Sequence, residues 1–251
     1  MNYYNEYDSC SAGYLRELIA DGLIAKGFVD ERGIEDVQPR DLGGFRQCHF
    51  FAGIGGWSLA LRLAGWPDDK PVWTGSCPCQ SFSAAGEQRG FEDERHLWPE
   101  FFRLIEKCRP VAVFGEQVAP AAGEVNGECW LDLVHDDLER AGYAVGAALF
   151  PAASVGALHQ RDRLYFVADS GGVRREPFRQ AGERGPAGGF WADAEWAPSW
   201  PGGEKRAVKP GVCPLAHGIP SWMGVVHGAG NAIVPQQAAA FIQTYVEARR
   251  G

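Results

Sequence analysis

Apolar and polar residues alternate along the chain in two patterns, which predict a succession of strands and helices. Short apolar runs predict strands at residues 47–52, 71–74, 110–115, 145–150 and 164–168. Apolar residues at helical spacing predict helices at residues 9–24, 57–64, 130–141 and 235–249. Because the strands alternate with helices, the pattern favours an α/β fold with a mostly parallel sheet and helices on both faces.

Residues 170–218 interrupt this alternation. They are rich in glycine and proline, contain Trp191, Trp196 and Trp200, and show little periodicity. The segment is predicted to be a small irregular lobe or a mobile insert. It would separate a catalytic domain at 1–169 from a C-terminal stretch at 219–251, whose helix returns to that domain.

Composition restricts the class of protein. The chain has 251 residues, enough for one domain and a small lobe, and a net charge of −8 that argues against a general polyanion binder. Residues 161–210 nevertheless carry nine Lys/Arg against seven Asp/Glu, so a surface that contacts DNA would lie there. No apolar run approaches the roughly 20 residues that span a bilayer. The seven cysteines, an odd number, and the absence of a secretory signal predict a cytoplasmic protein without membrane attachment.

A glycine-rich turn at residues 51–56 follows one predicted strand and opens the next helix. Its sequence is Phe-Ala-Gly-Ile-Gly-Gly. Glycines allow a ligand to approach the backbone closely, and the first turn of a helix offers free N–H groups. The turn is therefore either a nucleotide-type binding loop or a tight structural turn.

Cys79 lies between Pro78 and Gln80, on a small-residue turn that follows the strand predicted at 71–74. A thiol that the backbone directs outward in this way suits nucleophilic attack. Cys77 and Cys79 could also ligate a metal, but the chain has no second pair with zinc spacing, so no metal site is predicted.

These two segments, together with Glu116 and Gln160-Arg-Asp-Arg163, occur in an order that resembles the DNA (cytosine-5) methyltransferase family. The resemblance runs from about Cys48 to Ala168 and resumes at 230–235. It implies a Rossmann-like fold that depends on S-adenosylmethionine as cofactor, and double-stranded DNA as the partner of a monomeric enzyme. Residues 170–218 would then form the target-recognition lobe, in which the tryptophans could contact bases or make a small core.

The resemblance also implies a role for each catalytic residue. Cys79 would attack C6 of a flipped cytosine, and Glu116 would bind the ring at N3. Arg163 would stabilise charge at O2, and Arg161 would position the loop or a phosphate. The family's Glu-Asn-Val stands here as Glu116-Gln117-Val118. If the amide anchors the catalytic loop, the longer Gln117 side chain could loosen it.

The cofactor-binding residues implied by the resemblance lie in four segments. They are Phe51, Ala52, Gly53, Gly55 and Gly56 of the glycine turn, Pro78, Leu97, and Asn231 with Ala232.

One part of the family's cofactor site is missing from its usual place. Only about twenty residues separate the glycine turn from Cys79, too few for the two strands that normally hold the ribose and adenine. Asn5-Glu-Tyr-Asp8 and residues 34–42 resemble those motifs, so residues 1–45 are predicted to be the second and third strands, moved ahead of the first. Glu6 would then bind the ribose, Tyr7 would stack on adenine, and Asp30 would contact adenine. The alternative is that residues 1–45 are an unrelated appendage and the cofactor site is incomplete.

Three other functions remain open from the sequence. The chain could be a relative that binds S-adenosylmethionine or DNA with weak catalysis, as the rearrangement and Gln117 suggest. It could use its cysteine on free pyrimidine nucleotides, for which residues 170–218 would not be needed. It could also transfer a different group from a modified donor.

Overall fold

The computed structural model describes residues 1–78, 97–119, 124–125, 128–157, 161–171, 195–198, 205–208 and 232–250. The strands are β1 Asn2–Asn5, β2 Gly27–Asp30, β3 Gln47–Phe50, β4 Val72–Gly75, β5 Ala112–Val118, β6 Glu124–Val125, β7 Glu128–Cys129, β8 Ala144–Pro151, β9 Asp162–Asp169, β10 Glu195–Pro198 and β11 Lys205–Val208. The α-helices are α1 Ser9–Ala20, α2 Gly56–Leu63, α3 Trp98–Cys108, α4 Trp130–Arg140 and α5 Pro235–Arg250.

Seven strands form one central sheet in the order β2-β1-β3-β4-β5-β9-β8. The five strands from β2 to β5 are parallel to their neighbours, and β9 is antiparallel to both β5 and β8. The prediction of a mostly parallel α/β sheet is therefore confirmed.

The N-terminal strands β1 and β2 are members of this sheet, so residues 1–45 are not an appendage beside it. Tyr3 and Tyr4 of β1 pair with Cys48 and His49 of β3, on the side of β3 away from β4. The rearrangement hypothesis requires this position, because the second and third strands of a doubly wound sheet lie to one side of the first. That β1 and β2 complete a cofactor site stays a prediction.

Helices cover both faces of the sheet, as predicted. Alternate residues of β5 point to opposite faces: Val113 joins the apolar core under α3 and α4, whereas Phe114 joins the core under α2 and α5. Helix α1 packs through Leu15 on a smaller cluster with Tyr4 and Val29. Within the parts of the chain described above, no helix is long and apolar enough to cross a membrane.

Several element bounds differ from the predicted ones. Helix α1 ends at Ala20 and not at residue 24, because Gly22 adopts the left-handed conformation (φ +71°) and turns the chain. Strand β5 continues to Val118, so Glu116 lies inside a strand and not just past its end. Strand β9 begins at Asp162, so Arg163 also lies in a strand and not in a turn.

The region predicted as an irregular lobe contains an antiparallel pair of short strands, β10 and β11, which its sequence pattern did not indicate. Cross-strand pairing links residues 7 to 13 positions apart, and a period-two pattern over four residues is too short to reveal it. Trp191 and Trp200, and most of residues 170–218, lie outside the described residues. The predicted domain bounds therefore stay a prediction.

Candidate active site

The predicted site residues that the structure describes meet at one edge of the central sheet. Phe50 pairs with Gly75 and Gly75 pairs with Gly115, so the carboxyl ends of β3, β4 and β5 are level. Antiparallel β9 begins at this edge, where Arg163 pairs with Val118. Parallel sheets place their ligand sites at the carboxyl ends of the strands.

The glycine turn has an unusual backbone. Phe51, Gly53 and Gly55 all have positive φ angles, of 51°, 53° and 80°. A left-handed phenylalanine costs of the order of 1 kcal/mol or more and persists only where the surroundings hold it, which is common at ligand sites. Helix α2 then begins behind Gly55, which supplies no side-chain cap, so the first N–H groups of α2 are available to a ligand. The space where a Gly53 side chain would lie is open.

Glu6 reaches this turn from the end of β1. Its Oε2 atom accepts a hydrogen bond from the Gly53 amide at 2.6 Å, and its Oε1 atom accepts one from the Asp8 amide at 2.9 Å. Burial raises the pKa of the Glu6 carboxyl, although these two amides oppose the shift. The neighbouring Tyr7 is 78% exposed, so one face of its ring is open to a partner. The structure thus brings together Glu6 and the glycine turn, which are 47 residues apart.

Asp30 is engaged elsewhere. Its two carboxylate oxygens accept hydrogen bonds from the Arg32 guanidinium and amide and from the Tyr3 hydroxyl. Although burial opposes the shift, the bonds from Arg32 lower the pKa of Asp30. The carboxylate therefore holds β2 and the following turn together, and its contact with adenine stays a prediction that this geometry does not favour.

Glu116 and Arg163 form a buried ion pair at the centre of the edge. The Arg163 Nε atom lies 2.8 Å from Glu116 Oε1, and the two side chains are only 19% and 10% exposed. Burial raises the pKa of the Glu116 carboxyl above its usual range, partly offset by the positive charges of Arg163 and Arg161. A carboxyl group with a raised pKa keeps its proton at a higher pH than an ordinary carboxyl group, so it can act as a proton donor.

Arg161 connects this edge with the C-terminal segment. It has a left-handed backbone (φ 38°), and its Nη2 atom donates a hydrogen bond to the Ala232 carbonyl at 2.7 Å. The adjacent Ile233 packs so closely on Gly56 that a Cβ atom there would lie 2.8 Å from it. The segment that contains Ala232 therefore returns beside the glycine turn. Asn231 lies outside the described residues.

The Gln117 side chain, one methylene longer than the family's asparagine, still bonds to the segment that leads to Cys79. Its amide Nε2 donates to the Cys77 carbonyl at 3.2 Å, and its Oε1 accepts from its neighbour's amide, that of Val118. The longer side chain therefore does anchor the chain two residues before Cys79, and it is 97% buried there. Cys79 itself lies outside the described residues, and Pro78, the last residue before it, is exposed.

Two predicted cofactor contacts have a packing role in the structure. Leu97 precedes α3 and packs on the core under that helix. Ala52 is buried against the α1 cluster, and its amide donates to the Asn5 carbonyl at 3.0 Å. Sequence reasoning missed one residue at this edge, Ser76, whose hydroxyl accepts a hydrogen bond from Trp57 Nε1 at 3.0 Å. A small polar residue directly after a strand was the one available signal.

The central sheet is parallel except for β9, and a glycine turn precedes the helix that follows β3, which is a Rossmann-like α/β arrangement. The family model for "C-5 cytosine-specific DNA methylase" matches residues 66–179, which include Cys79, Glu116, Arg161 and Arg163. Over this segment the chain is similar to the C-5 cytosine-specific DNA methylases.

Curated proteins similar to this chain include type II methyltransferases. The chain is 27% identical over 168 residues to the type II methyltransferase M.HhaI of Haemophilus parahaemolyticus, covering 53% of this chain and 51% of that protein. It is 32% identical over 183 residues to the type II methyltransferase M.SsoII of Shigella sonnei, covering 58% and 48%. The chain thus spans about half the length of these two relatives.

Solved structures are more distant. The DNMT2 mutant E260A/E261A/K263A of Spodoptera frugiperda superimposes with a TM-score of 0.46 at 14% identity, covering 72% of this chain and 46% of that one.

Proposed function

We propose that the chain is a DNA cytosine-C5 methyltransferase that acts on double-stranded DNA with S-adenosylmethionine as methyl donor. The observation that carries the proposal is the buried pair of Glu116 and Arg163 at the carboxyl edge of the sheet. Beside it, Gln117 anchors the chain two residues before Cys79. A nucleophile, a proton donor and a fixed positive charge would then surround one pyrimidine ring.

The described residues fit the cofactor. The uncapped start of α2 offers N–H groups to its carboxylate, the open space beside Gly53 leaves room for it, and Glu6 lies within reach of ribose hydroxyls. Tyr7 would stack on the adenine from its exposed position. Asn231 and Ala232 would lie at the methionine end. When bound, S-adenosylmethionine supplies the electrophilic methyl group.

The remaining chemistry belongs to the side chains. The Cys79 thiolate adds to C6 of the cytosine, and the protonated Glu116 carboxyl gives its proton to N3, so the electron pair of the C5–C6 bond becomes available at C5. After C5 has been methylated, water takes the C5 proton, the electron pair of that C–H bond forms the C5–C6 double bond again and expels the Cys79 thiolate, and the N3 proton returns to Glu116.

The two arginines stabilise charge on the ring and hold the site together. Arg163 neutralises the carboxylate form of Glu116 and faces the developing negative charge at O2. Arg161 ties the segment at 232 to this edge, so its positioning role extends to the cofactor end. DNA would have to present the cytosine out of the stack, and residues 170–218 would grip the duplex. We further propose that the protein acts as a monomer in the cytoplasm.

The test is transfer of tritiated methyl groups from S-adenosylmethionine to mixed-sequence duplex DNA, followed by nucleoside analysis. The proposal predicts labelled 5-methylcytosine with the wild-type protein and none with Cys79→Ala. The chain offers a matched control in Cys108→Ala, because Cys108 ends α3, which leads into the amino end of β5, opposite the edge that holds the site. Absence of label from DNA despite measurable cofactor binding would overturn the proposal. Label on free cytidine nucleotides would identify these nucleotides, and not DNA, as the substrate.

A further inference from the structure

Asn5 is a buried polar residue at the end of β1, directly before Glu6. Its side chain takes no part in the proposed chemistry or in the proposed cofactor contacts. In the sheet it pairs with Asp30 of β2 on one side and with Phe50 of β3 on the other, so the carboxyl ends of these three strands are level. Asn5 therefore lies at the edge that holds the proposed cofactor site.

The Asn5 side chain continues the contact between β1 and β2 beyond their last paired residues. Its Nδ2 atom donates a hydrogen bond to the Arg32 carbonyl at 2.7 Å and a longer one to the Asp30 carbonyl at 3.4 Å. An amide nitrogen carries two protons, so one asparagine can serve both carbonyl groups. The Asp30 carbonyl also accepts the Glu6 amide at 3.0 Å. The turn that follows β2 is thereby fixed next to Glu6.

The main chain of Asn5 holds the glycine turn on the other side. Its carbonyl accepts the Ala52 amide at 3.0 Å, and the Glu6 carboxylate, one residue further on, accepts the Gly53 amide at 2.6 Å. A substitution of Asn5 keeps the main-chain bond and removes the side-chain bonds. The contact with the turn after β2 can therefore be tested separately.

The position of β1 in the sheet gives these contacts a consequence for the cofactor. Because β1 lies between β2 and β3, Glu6 and Tyr7 leave the sheet between the turn after β2 and the glycine turn. We propose that Asn5 is a positioning residue for the adenosine end of the cofactor: its side-chain amide holds residues 30–32 beside Glu6 and Tyr7, and so fixes the space between the two turns. This inference rests on the proposed function.

A purely structural role for Asn5 predicts a loss of stability alone, and Asn2 provides the matched control. Asn2 is at the other end of β1 and is 2% exposed, against 3% for Asn5. Its Oδ1 atom accepts the Gln47 amide of β3 at 3.1 Å. Asn2→Ala and Asn5→Ala thus each remove a bond from a buried asparagine side chain to the backbone of a neighbouring segment. Both variants should lower Tm by a similar few degrees.

Only the Asn5 variant should weaken cofactor binding. In isothermal titration calorimetry with S-adenosylhomocysteine, we expect Asn5→Ala to raise Kd about tenfold, the effect of one lost hydrogen bond, and Asn2→Ala to leave Kd within about twofold. In methyl transfer, KM of Asn5→Ala for S-adenosylmethionine should rise by a similar factor. Its kcat should stay within about threefold, because the residues that would meet the cytosine are unchanged.

Hydrogen exchange reports on the turn itself. Amides in peptides that cover residues 30–36 should exchange faster in Asn5→Ala than in the wild-type protein or in Asn2→Ala. Asn5→Ser keeps a shorter hydroxyl donor, so it should lie between Asn5→Ala and the wild-type protein in both exchange and Kd. The serine variant also serves for every measurement if Asn5→Ala does not fold.

Three results would overturn the inference and leave the proposed function in place: an unchanged Kd in the folded Asn5 variant, a rise in Kd that Asn2→Ala shares, or unchanged exchange at residues 30–36. In each case the wild-type protein would still bind the cofactor and methylate DNA. If the wild-type protein binds no S-adenosylhomocysteine, the proposed function fails, and the inference fails with it.

Discussion

Replacement of Glu6 by alanine tests whether the N-terminal strands complete the cofactor site. The carboxylate accepts the Gly53 amide at 2.6 Å and, in the proposed function, the ribose hydroxyls. Hydrogen bonds to a charged group contribute about 1.5–3 kcal/mol each. Loss of one such bond to the cofactor should therefore raise its Kd about 10- to 100-fold, since about 1.4 kcal/mol corresponds to a factor of ten. Glu6→Gln, which keeps an acceptor for Gly53, should have a smaller effect.

The assay is isothermal titration calorimetry with S-adenosylhomocysteine, combined with thermal unfolding. Glu17→Ala is the matched control, because Glu17 is an exposed glutamate on α1 in the same N-terminal region. The Kd of Glu17→Ala for S-adenosylhomocysteine should equal that of the wild-type protein. A loss of about 1 kcal/mol in stability would lower Tm by only about 2–4 °C in a chain of this size, so the Glu6 variants should be folded during the titration.

A ligand analogue without the ribose 2′-hydroxyl separates direct contact from indirect support of the loop. Wild-type protein should bind the deoxy analogue more weakly than the parent ligand, whereas Glu6→Ala should bind both equally. An unchanged Kd in a folded Glu6→Ala protein would refute the reasoning. If Glu6→Ala binds both ligands more weakly but still prefers the parent ligand to the deoxy analogue, Glu6 supports the conformation of the glycine turn and does not bind the ribose.

Three other changes have defined outcomes. Gly53→Ala should abolish cofactor binding in calorimetry. Gly65→Ala, at a position where φ is also positive (74° against 53°) and the surroundings are also open, should keep cofactor binding and lose a similar stability of about 1 kcal/mol; equal Kd values would contradict this. Gln117→Leu should lower kcat about tenfold with cofactor affinity unchanged, because the Cys77 carbonyl loses its donor, and an unaltered kcat would exclude an anchoring role. Burial raises the pKa of Glu116, so kcat should fall as pH rises through that pKa, where the acid loses its proton. Glu116→Gln should lower kcat by about 10² to 10⁴ and should remove this decrease at high pH. If the decrease persists in the variant, it belongs to another group.

Features that depend on neighbours in sequence could be predicted. The glycine turn, the helix start behind it and the positions of Glu116 and Arg163 beside apolar runs all follow from local patterns. The end of α1 was predicted wrongly, at residue 24 and not at Ala20, although Gly22, whose left-handed conformation fits the position after a helix, was a local signal for it.

Features that depend on pairing between distant segments could not be predicted from the sequence. The insertion of β9 between β5 and β8 depends on antiparallel pairing of β9 with β5 across more than forty residues, which no single segment encodes. The bond from Trp57 to Ser76 exists only because α2 packs over the end of β4. Asp30 seemed available to a ligand in the sequence, but its carboxylate is bound by Arg32, and the fold alone determines this.

The most direct test of the account is covalent trapping on duplex DNA in which 5-fluorocytosine replaces cytosine. Fluorine at C5 cannot leave as a proton, so the adduct formed after methyl transfer cannot release its thiolate. The account predicts a complex that resists denaturation, forms only with S-adenosylmethionine, and maps by peptide mass to a methylated fluorocytosine on Cys79. Absence of the adduct in a protein that binds the cofactor, or an adduct on another residue, would contradict it.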